Sequence, residues 1–131
     1  MKKKVLSLAA AIALGAATPA ISQQISGNSL YQACKGDDVA LATFCVGYTT
    51  GVVEGESFGA LVILGQLFPE QNTAEANERI NMFMRHCIPS NATNEQVRDV
   101  VIAYLEAHPE TRHYPARGLI WNAMMEGFPC T

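Results

Sequence analysis

The sequence predicts an all-α fold, a small bundle of four to five helices held together by two disulfide bonds. Apolar residues recur at helical spacing in several segments. No stretch of useful length alternates between apolar and polar residues as a half-buried β-strand does. The chain also contains 4 cysteines, downstream of a segment typical of an export signal. Small exported domains commonly form disulfides, so two bonds are expected.

The N-terminal segment, residues 1–22, has the features of a secretory signal peptide. Lys2–Lys4 form a basic start, Val5–Ala17 is a short apolar run, and Ala20–Ser22 supplies small residues for a cleavage site. The apolar run is too short for a membrane anchor. We therefore expect cleavage near the end of this segment. The mature chain, residues 23–131, is then a periplasmic helical domain with no membrane span.

The charge balance disfavours some classes of partner. The whole chain has 9 basic and 12 acidic residues, and loss of Lys2–Lys4 makes the mature chain more acidic still. Such a chain is a poor ligand for nucleic acid or for an anionic membrane surface. A basic or neutral protein partner is weakly favoured, although acidic surfaces most often serve only solubility.

The first predicted helix is short and runs from Leu30 to Lys35. Asn28 or Ser29 is its expected N-cap, and Gly36 breaks it. Asp38 can cap the helix that follows, because its carboxylate accepts hydrogen bonds from free backbone N–H groups and complements the helix dipole.

The segment Asp38–Phe58 is the predicted central helix. Its glycines recur every four residues and so form one row on one face: Gly47, Gly51, Gly55 and Gly59. Each glycine costs a helix about 1 kcal/mol relative to alanine, so we expect another helix to pack closely on the bare row. The pattern leaves open whether the helix continues through Leu64 or kinks. Glu54 and Glu56, in the middle of an otherwise uncharged run, favour a soluble core over a membrane span.

Two further helices follow the central one. Pro69 ends the preceding helix, and Thr73 is the expected cap of a helix from Ala74 to His86. Thr93 and Gln96 have the spacing of a capping box, and apolar residues at helical intervals follow them.

The last predicted helix begins near Pro115 and reaches Glu126, with apolar residues on nearly all of its sides. The chain has more methionine and aromatic residues than a small core obviously needs. Core filling is the first interpretation. The alternative is an exposed apolar row that forms a homodimer or binds a partner. The residues concerned are Met82, Met84, Met124, Met125, Trp121 and Phe128.

The expected disulfide pairs are Cys45–Cys87 and Cys34–Cys130. An antiparallel hairpin would place Cys45, early in the central helix, beside Cys87, late in the next helix. Four cysteines permit three pairings, and the sequence alone does not choose among them. A metal site is disfavoured because no C-x-x-C motif occurs and only His86 lies near a cysteine in the sequence.

Residues that could support catalysis occur in poor arrangements. His86 and Cys87 are adjacent, and neighbours on a helix point about 100° apart. Glu54 and Glu56 face different sides of their helix. A polar turn near the last helix offers one further group: His108, Arg112 and His113. We therefore predict no enzyme activity, no metal and no other cofactor.

Together, several motifs resemble the Rap/Tai family of type VI secretion immunity proteins. The resemblance extends from Cys34 to Cys130. The matching pieces are Cys34, the block CVGYTTGV from Cys45 to Val52, Cys87-Ile88-Pro89, Thr93 and Gln96, Val100-Val101, Tyr104-Leu105, His108-Pro109-Glu110, Ala116, Leu119, Ala123, and Phe128-Pro129-Cys130.

The resemblance implies a periplasmic protein that binds and blocks a peptidoglycan amidase effector. Such effectors are papain-like cysteine enzymes, so inhibition implies steric occlusion of the catalytic groove, and some relatives act as homodimers. The matched residues are structural and assign no contact residues. We predict that the loop Gln66–Asn72 makes the contact, with Leu67 and Phe68 as apolar anchors. The alternative is a general periplasmic stress, chaperone-like or envelope interaction protein without an amidase target.

Overall fold

The structure, a computed structural model, describes residues 24–69 and 72–130. The predicted signal peptide lies outside the described residues. Five α-helices follow one another: α1 (Gly27–Lys35), α2 (Val39–Leu67), α3 (Thr73–Met84), α4 (Asn94–Ala107) and α5 (Ala116–Gly127), with a 3-10 turn (Pro109–Thr111) between the last two. The described ranges contain no strand, only an isolated bridge between Ser26 and Pro115. The all-α prediction is confirmed.

Local side chains explain where most helices begin. The Asp38 carboxylate accepts from the Leu41 N–H at 2.9 Å, as predicted for the start of α2. The predicted capping box of Thr93 and Gln96 is formed in both directions at the start of α4. α1 begins earlier than expected because Ser26 is its N-cap. The cap of α3 is Asn72, one residue before the predicted threonine.

The hydrophobic core lies where α1, α4 and α5 meet. One side of the first half of α2 covers it, with Tyr48, Val52 and Val53 packed against the buried cluster. Burying these aliphatic side chains is the main stabilising contribution in so small a domain. The cluster consists of Leu30, Val97, Val101, Leu105, Ala116, Leu119, Ile120, Ala123 and Met124.

The second half of α2 extends beyond this core and pairs with α3 in an antiparallel helical hairpin. α2 is continuous through Gly59 and has 29 residues, a length of about 43 Å at 1.5 Å per residue. The buried apolar residues of the hairpin are few, and two of the four are alanines: Ala60, Leu64, Ala76 and Met84. Two helices with so thin a contact leave much of their apolar surface uncovered.

The expectation that a helix packs on the glycine row is wrong. Gly47, Gly51 and Gly55 are exposed and Gly59 is only partly covered. No described atom of another element comes within 4 Å of where a Cβ would stand at any of the four. The physical reason is that the core covers the opposite side of α2, the row that contains Cys45, Thr49 and Val52.

The predicted disulfide pairing is also wrong. The bonds are Cys34–Cys45, which ties α1 to α2, and Cys87–Cys130, which ties the segment after α3 to the chain end. α3 ends at Met84, where Arg85 takes the left-handed conformation with φ 60°. Cys87 therefore lies in an extended segment, and its N–H donates to the Phe128 carbonyl at 2.8 Å.

Candidate partner-binding surface

The two residues predicted as apolar anchors lie at the free end of the α2–α3 hairpin. Leu67 is the last residue of α2 and Phe68 is its C-cap. Their side chains are 65% and 41% exposed. Ile63, one turn before Leu67, is also exposed. We call Ile63, Leu67 and Phe68 the hairpin tip.

Ile63 and Leu67 belong to the side of α2 that the core covers farther back along the helix. Cys45 and Thr49 are fully buried on that side, and Ile63 and Leu67 follow each of them by five helical turns. Most of the residues on this side are apolar, although Thr49 and Glu56 also belong to it. It becomes exposed at the hairpin tip only because α2 is longer than the core is wide.

Phe68 is held in place by its neighbours. The Arg79 guanidinium of α3 lies over the Phe68 ring, 4.3 Å from its centroid, and the Phe68 N–H donates to the Leu64 carbonyl at 2.8 Å. A surface pocket of about 420 Å³ lies beside the ring and is lined by Leu61, Gly65 and the start of α3. The tip therefore offers a fixed aromatic ring next to a recess.

The one strongly perturbed carboxyl of the described residues lies midway along α2. Glu56 follows Thr49 and Val52 on the core-facing side, where the helix leaves the core. Its Oε2 is buried and has no hydrogen-bond partner among the described residues. Burial raises the pKa of Glu56 to about 7. Glu54, on another side of the helix, is exposed.

The residues considered for catalysis are buried or make contacts that stabilise the fold. His86 is buried, and burial lowers its pKa. The His108 ring packs at a tilt against the Tyr104 ring, with the two centroids 4.3 Å apart, and lies between the carboxylates of Glu110 and Glu126. Arg112 donates from Nε to the Leu105 carbonyl at 2.6 Å and lies over the Tyr31 ring.

The His113 ring packs at a tilt against the ring of Tyr114. His113 and Arg112 therefore contact different partners. In the ranges that the structure describes, no group of three or more His, Cys, Asp or Glu residues could hold a metal ion.

A family comparison identifies the class of this protein. Residues 26–130, the range that holds all five helices and both disulfides, match the family model described as Rap1a immunity proteins. The chain belongs to the Rap1a immunity protein family. The predicted relationship is thereby confirmed. No curated protein and no solved structure matches the chain.

Membership in the Rap1a family gives the chain the role of a type VI secretion immunity protein, with a protein effector as its partner. Immunity proteins of this kind are typically periplasmic and non-enzymatic. Within the described residues, the search for a helix long and apolar enough to cross a membrane found none.

The sequence interpretation missed part of the exposed apolar surface of this Rap1a protein. Phe83 on α3 and Phe58 on α2 are exposed and were not among the residues predicted as a possible exposed row. Of the predicted residues, Met82 is exposed, Met84 and Met124 are buried, and Trp121 donates from Nε1 to the Met84 carbonyl at 2.8 Å. The sequence feature that could have revealed this exposed surface is α2 itself, a 29-residue helix with only two charged residues.

Proposed function

We propose that this immunity protein works in the periplasm, after removal of its signal peptide, and neutralises a peptidoglycan amidase effector by steric occlusion. The hairpin tip enters the catalytic groove of the effector and keeps the peptidoglycan stem peptide out. Occlusion requires only binding, so the immunity protein supplies no catalytic group.

The observation that carries the proposal is the exposure of Leu67 and Phe68 at the free end of a projecting hairpin. A projection made of two helices and a short connection fits a groove better than the flat side of a bundle does. Buried aromatic side chains near the centre of an interface commonly supply most of its binding free energy. Phe68 is the aromatic residue at this end.

The surroundings of Phe68 support the same role. Because Arg79 holds the ring from one side, the ring loses less conformational freedom on binding than a free phenyl group would. The recess beside the ring, lined by Leu61 and Gly65, can accept a small apolar side chain from the rim of the groove. Each protein would then insert a side chain into the surface of the other.

The test is a titration of purified immunity protein with amidase effectors encoded in neighbouring reading frames, each carrying a substitution of its catalytic cysteine. Phe68→Ala is expected to weaken binding about 30-fold, the effect of a hot-spot aromatic worth about 2 kcal/mol. Leu67→Ala is expected to weaken it less. The matched control is Val39→Ala, which removes a side chain that is 80% exposed at the opposite end of α2.

Kinetics with the active effector separate occlusion from other modes of binding. Occlusion predicts inhibition that is competitive with a soluble peptidoglycan fragment and is lost in parallel with affinity in Phe68→Ala. If both tip variants bind as tightly as the Val39→Ala control, the hairpin tip is not the contact. If no amidase binds and the chain instead suppresses aggregation of unfolded proteins at low pH, the chaperone-like alternative is correct.

A further inference from the structure

The two disulfide bonds of the protein differ in how open they are to an attacking group. Cys45 is 0% exposed and Cys34 packs against the core, so the bond between them lies inside the fold. In the other bond, Cys130 is exposed and Cys87 is only partly buried. We call Cys34–Cys45 the shielded bond and Cys87–Cys130 the exposed bond.

The exposed bond forms part of the wall of a surface cleft of about 630 Å³. The Cys130 sulfur lies 4.0 Å from the backbone carbonyl oxygen of Asn81, which places it beside the last turns of α3. A cleft of this volume can accommodate a short segment of another polypeptide. Residues of α3, its C-cap and the segment after α5 complete the lining: Glu78, Asn81, Met82, Arg85 and Pro129.

We infer that the exposed bond is a site of thiol–disulfide exchange with a protein dithiol of the thioredoxin type. Such exchange begins when a thiolate attacks one sulfur of a disulfide, and access helps to decide which sulfur is attacked. Cys130 is the more exposed half of the bond. The attack therefore falls on the Cys130 Sγ, from the cleft.

The reaction transfers two electrons and two protons from the partner dithiol to the exposed bond. A partner thiolate bonds to the Cys130 sulfur, the bond between the two sulfurs of the immunity protein breaks, and Cys87 leaves as a thiolate that takes up a proton. The second partner thiolate then attacks the partner sulfur of the mixed disulfide, and Cys130 leaves and is protonated in turn. The partner dithiol becomes a disulfide, and the exposed bond becomes two thiols.

Arg85 is placed to assist the departure of Cys87. Its side chain lines the same cleft and makes no hydrogen bond or ion pair with any residue that the structure describes. A cation beside a departing sulfur favours the thiolate, and a thiol of lower pKa leaves faster. Arg85 also has φ 60°, and backbone states of this kind are concentrated at functional sites in proteins.

Reduction of the exposed bond loosens the base of the α2–α3 hairpin. α3 ends at Met84 and packs mainly on α2, so the segment after it connects it to the core. The exposed bond fixes that segment, together with hydrogen bonds from the Cys87 N–H to the Phe128 carbonyl and from the Trp121 Nε1 to the Met84 carbonyl, each 2.8 Å long. Without the bond, α3 is expected to open more readily.

A loosened hairpin affects effector binding only if the hairpin tip is the contact, so this consequence rests on the proposed function. The exchange reaction and the opening of α3 do not depend on it. The experiments therefore use the mature immunity protein without an effector, and their failure would leave the proposed contact of Phe68 intact.

The first experiment measures the order in which the two bonds are reduced in the folded protein. About 1 mM dithiothreitol near pH 8 supplies the thiolate, and free thiols are blocked with a maleimide at successive times. Lysine or arginine residues separate the 4 cysteines, so trypsin places each in its own peptide. The exposed bond is expected to be reduced at least about 10-fold faster, because thiols reach the shielded bond only when the fold opens.

A trapping experiment identifies the attacked sulfur. A thioredoxin whose second active-site cysteine is replaced by serine cannot complete the exchange, so it remains attached as a mixed disulfide. The same tryptic map locates the attachment. We expect it on Cys130 and not on Cys87.

The role of Arg85 is tested by the rate of reduction of the exposed bond. Arg85→Asn suits the left-handed conformation and removes the charge, and it is expected to slow the reaction about 3-fold. Arg85→Lys keeps the charge and is expected to restore the rate. The matched control is Arg98→Gln, which removes the same charge on α4, where Arg98 pairs with Asp99.

Hydrogen exchange measures the consequence for the fold. After reduction and blocking of the exposed bond, the amides of α3 are expected to exchange about 10-fold faster, whereas those of α4 keep their protection. Circular dichroism confirms that the protein with only the shielded bond remains helical.

Several results would overturn the inference. Reduction of both bonds together, or of the shielded bond first, excludes selective exchange. A mixed disulfide on Cys87, or none at all, excludes attack on Cys130 by a protein dithiol. If Arg85→Asn reacts as fast as Arg98→Gln, then Arg85 does not assist the leaving group. Unchanged hydrogen exchange in α3 shows that the exposed bond does not hold the hairpin.

Discussion

The carboxyl of Glu56 is expected to make the stability of the protein depend on pH in an unusual direction. Burial raises its pKa to about 7 from its ordinary value of 4.5. The folded state therefore binds more protons than the unfolded state between about pH 4.5 and pH 7. The free energy of unfolding should fall as the pH rises through this window, whereas a carboxylate in an ion pair would make it rise.

The magnitude follows from the size of the shift and from the exposure of the group. A shift from 4.5 to about 7 corresponds to about 3 kcal/mol for a group without solvent access. Because Glu56 is only partly buried, solvent screening reduces the effect, and about 1–2 kcal/mol is the expected loss above pH 7. Glu56→Gln keeps the shape of the side chain and removes the charge.

Urea denaturation at several pH values between 4 and 8 measures this effect. Glu56→Gln is expected to be more stable than the natural protein by about 1–2 kcal/mol at pH 8 and nearly equal to it at pH 4. Burial lowers the pKa of His86, so that group removes stability as the pH falls below 6.5. His86 is present in both proteins, so the difference between them isolates Glu56.

The control is Glu54→Gln, a change of the same charge at an exposed position on the same helix. It should leave the dependence of stability on pH close to that of the natural protein. If Glu56→Gln and the natural protein gave parallel curves from pH 4 to pH 8, the carboxyl would be solvated in solution and the reasoning from its burial would be refuted.

Three further predictions concern the stability of the fold. Replacing Cys87 and Cys130 together by serine releases a bridge that spans 43 positions and should cost about 4 kcal/mol on the chain-entropy model, seen as a lower urea midpoint. Gly27→Ala should cost about 1–3 kcal/mol, because its Cβ would stand 2.9 Å from the Arg112 carbonyl oxygen; an unchanged thermal midpoint would contradict this. Thr93→Ala removes one half of the capping box and should lower stability by about 1 kcal/mol, whereas Thr93→Ser should restore most of it.

Features that depend on near neighbours in the chain were predictable. The hydrogen bonds of Asp38 and of the Thr93–Gln96 pair join groups that are three residues apart in the chain. The spacing of these residues alone therefore identifies the starts of α2 and α4. The disulfides depend on where helices end in space. Arg85 ends α3 in a left-handed conformation that is uncommon for a residue other than glycine or asparagine, and nothing in the sequence predicted that turn.

The candidate binding surface shows a related limit of sequence reasoning. Leu67 and Phe68 were predictable because a proline follows them and ends the helix, which places them in an exposed connection. The exposure of Phe44 and Phe58 was not predictable in this way. Apolar residues surround α2 on all sides, so periodicity could not distinguish the side that the core covers from the sides left open.

The same absence of periodicity bears on function. A helix that is apolar all round is stable in water only if something covers each of its sides. In this protein α1, α4 and α5 cover one side of the first half of α2, and α3 covers one side of the second half. The hairpin tip remains uncovered, as do Phe44 and Phe58 farther back along the helix. The free end of α2 therefore calls for an occupant, and the proposed contact of Phe68 with an effector would supply one.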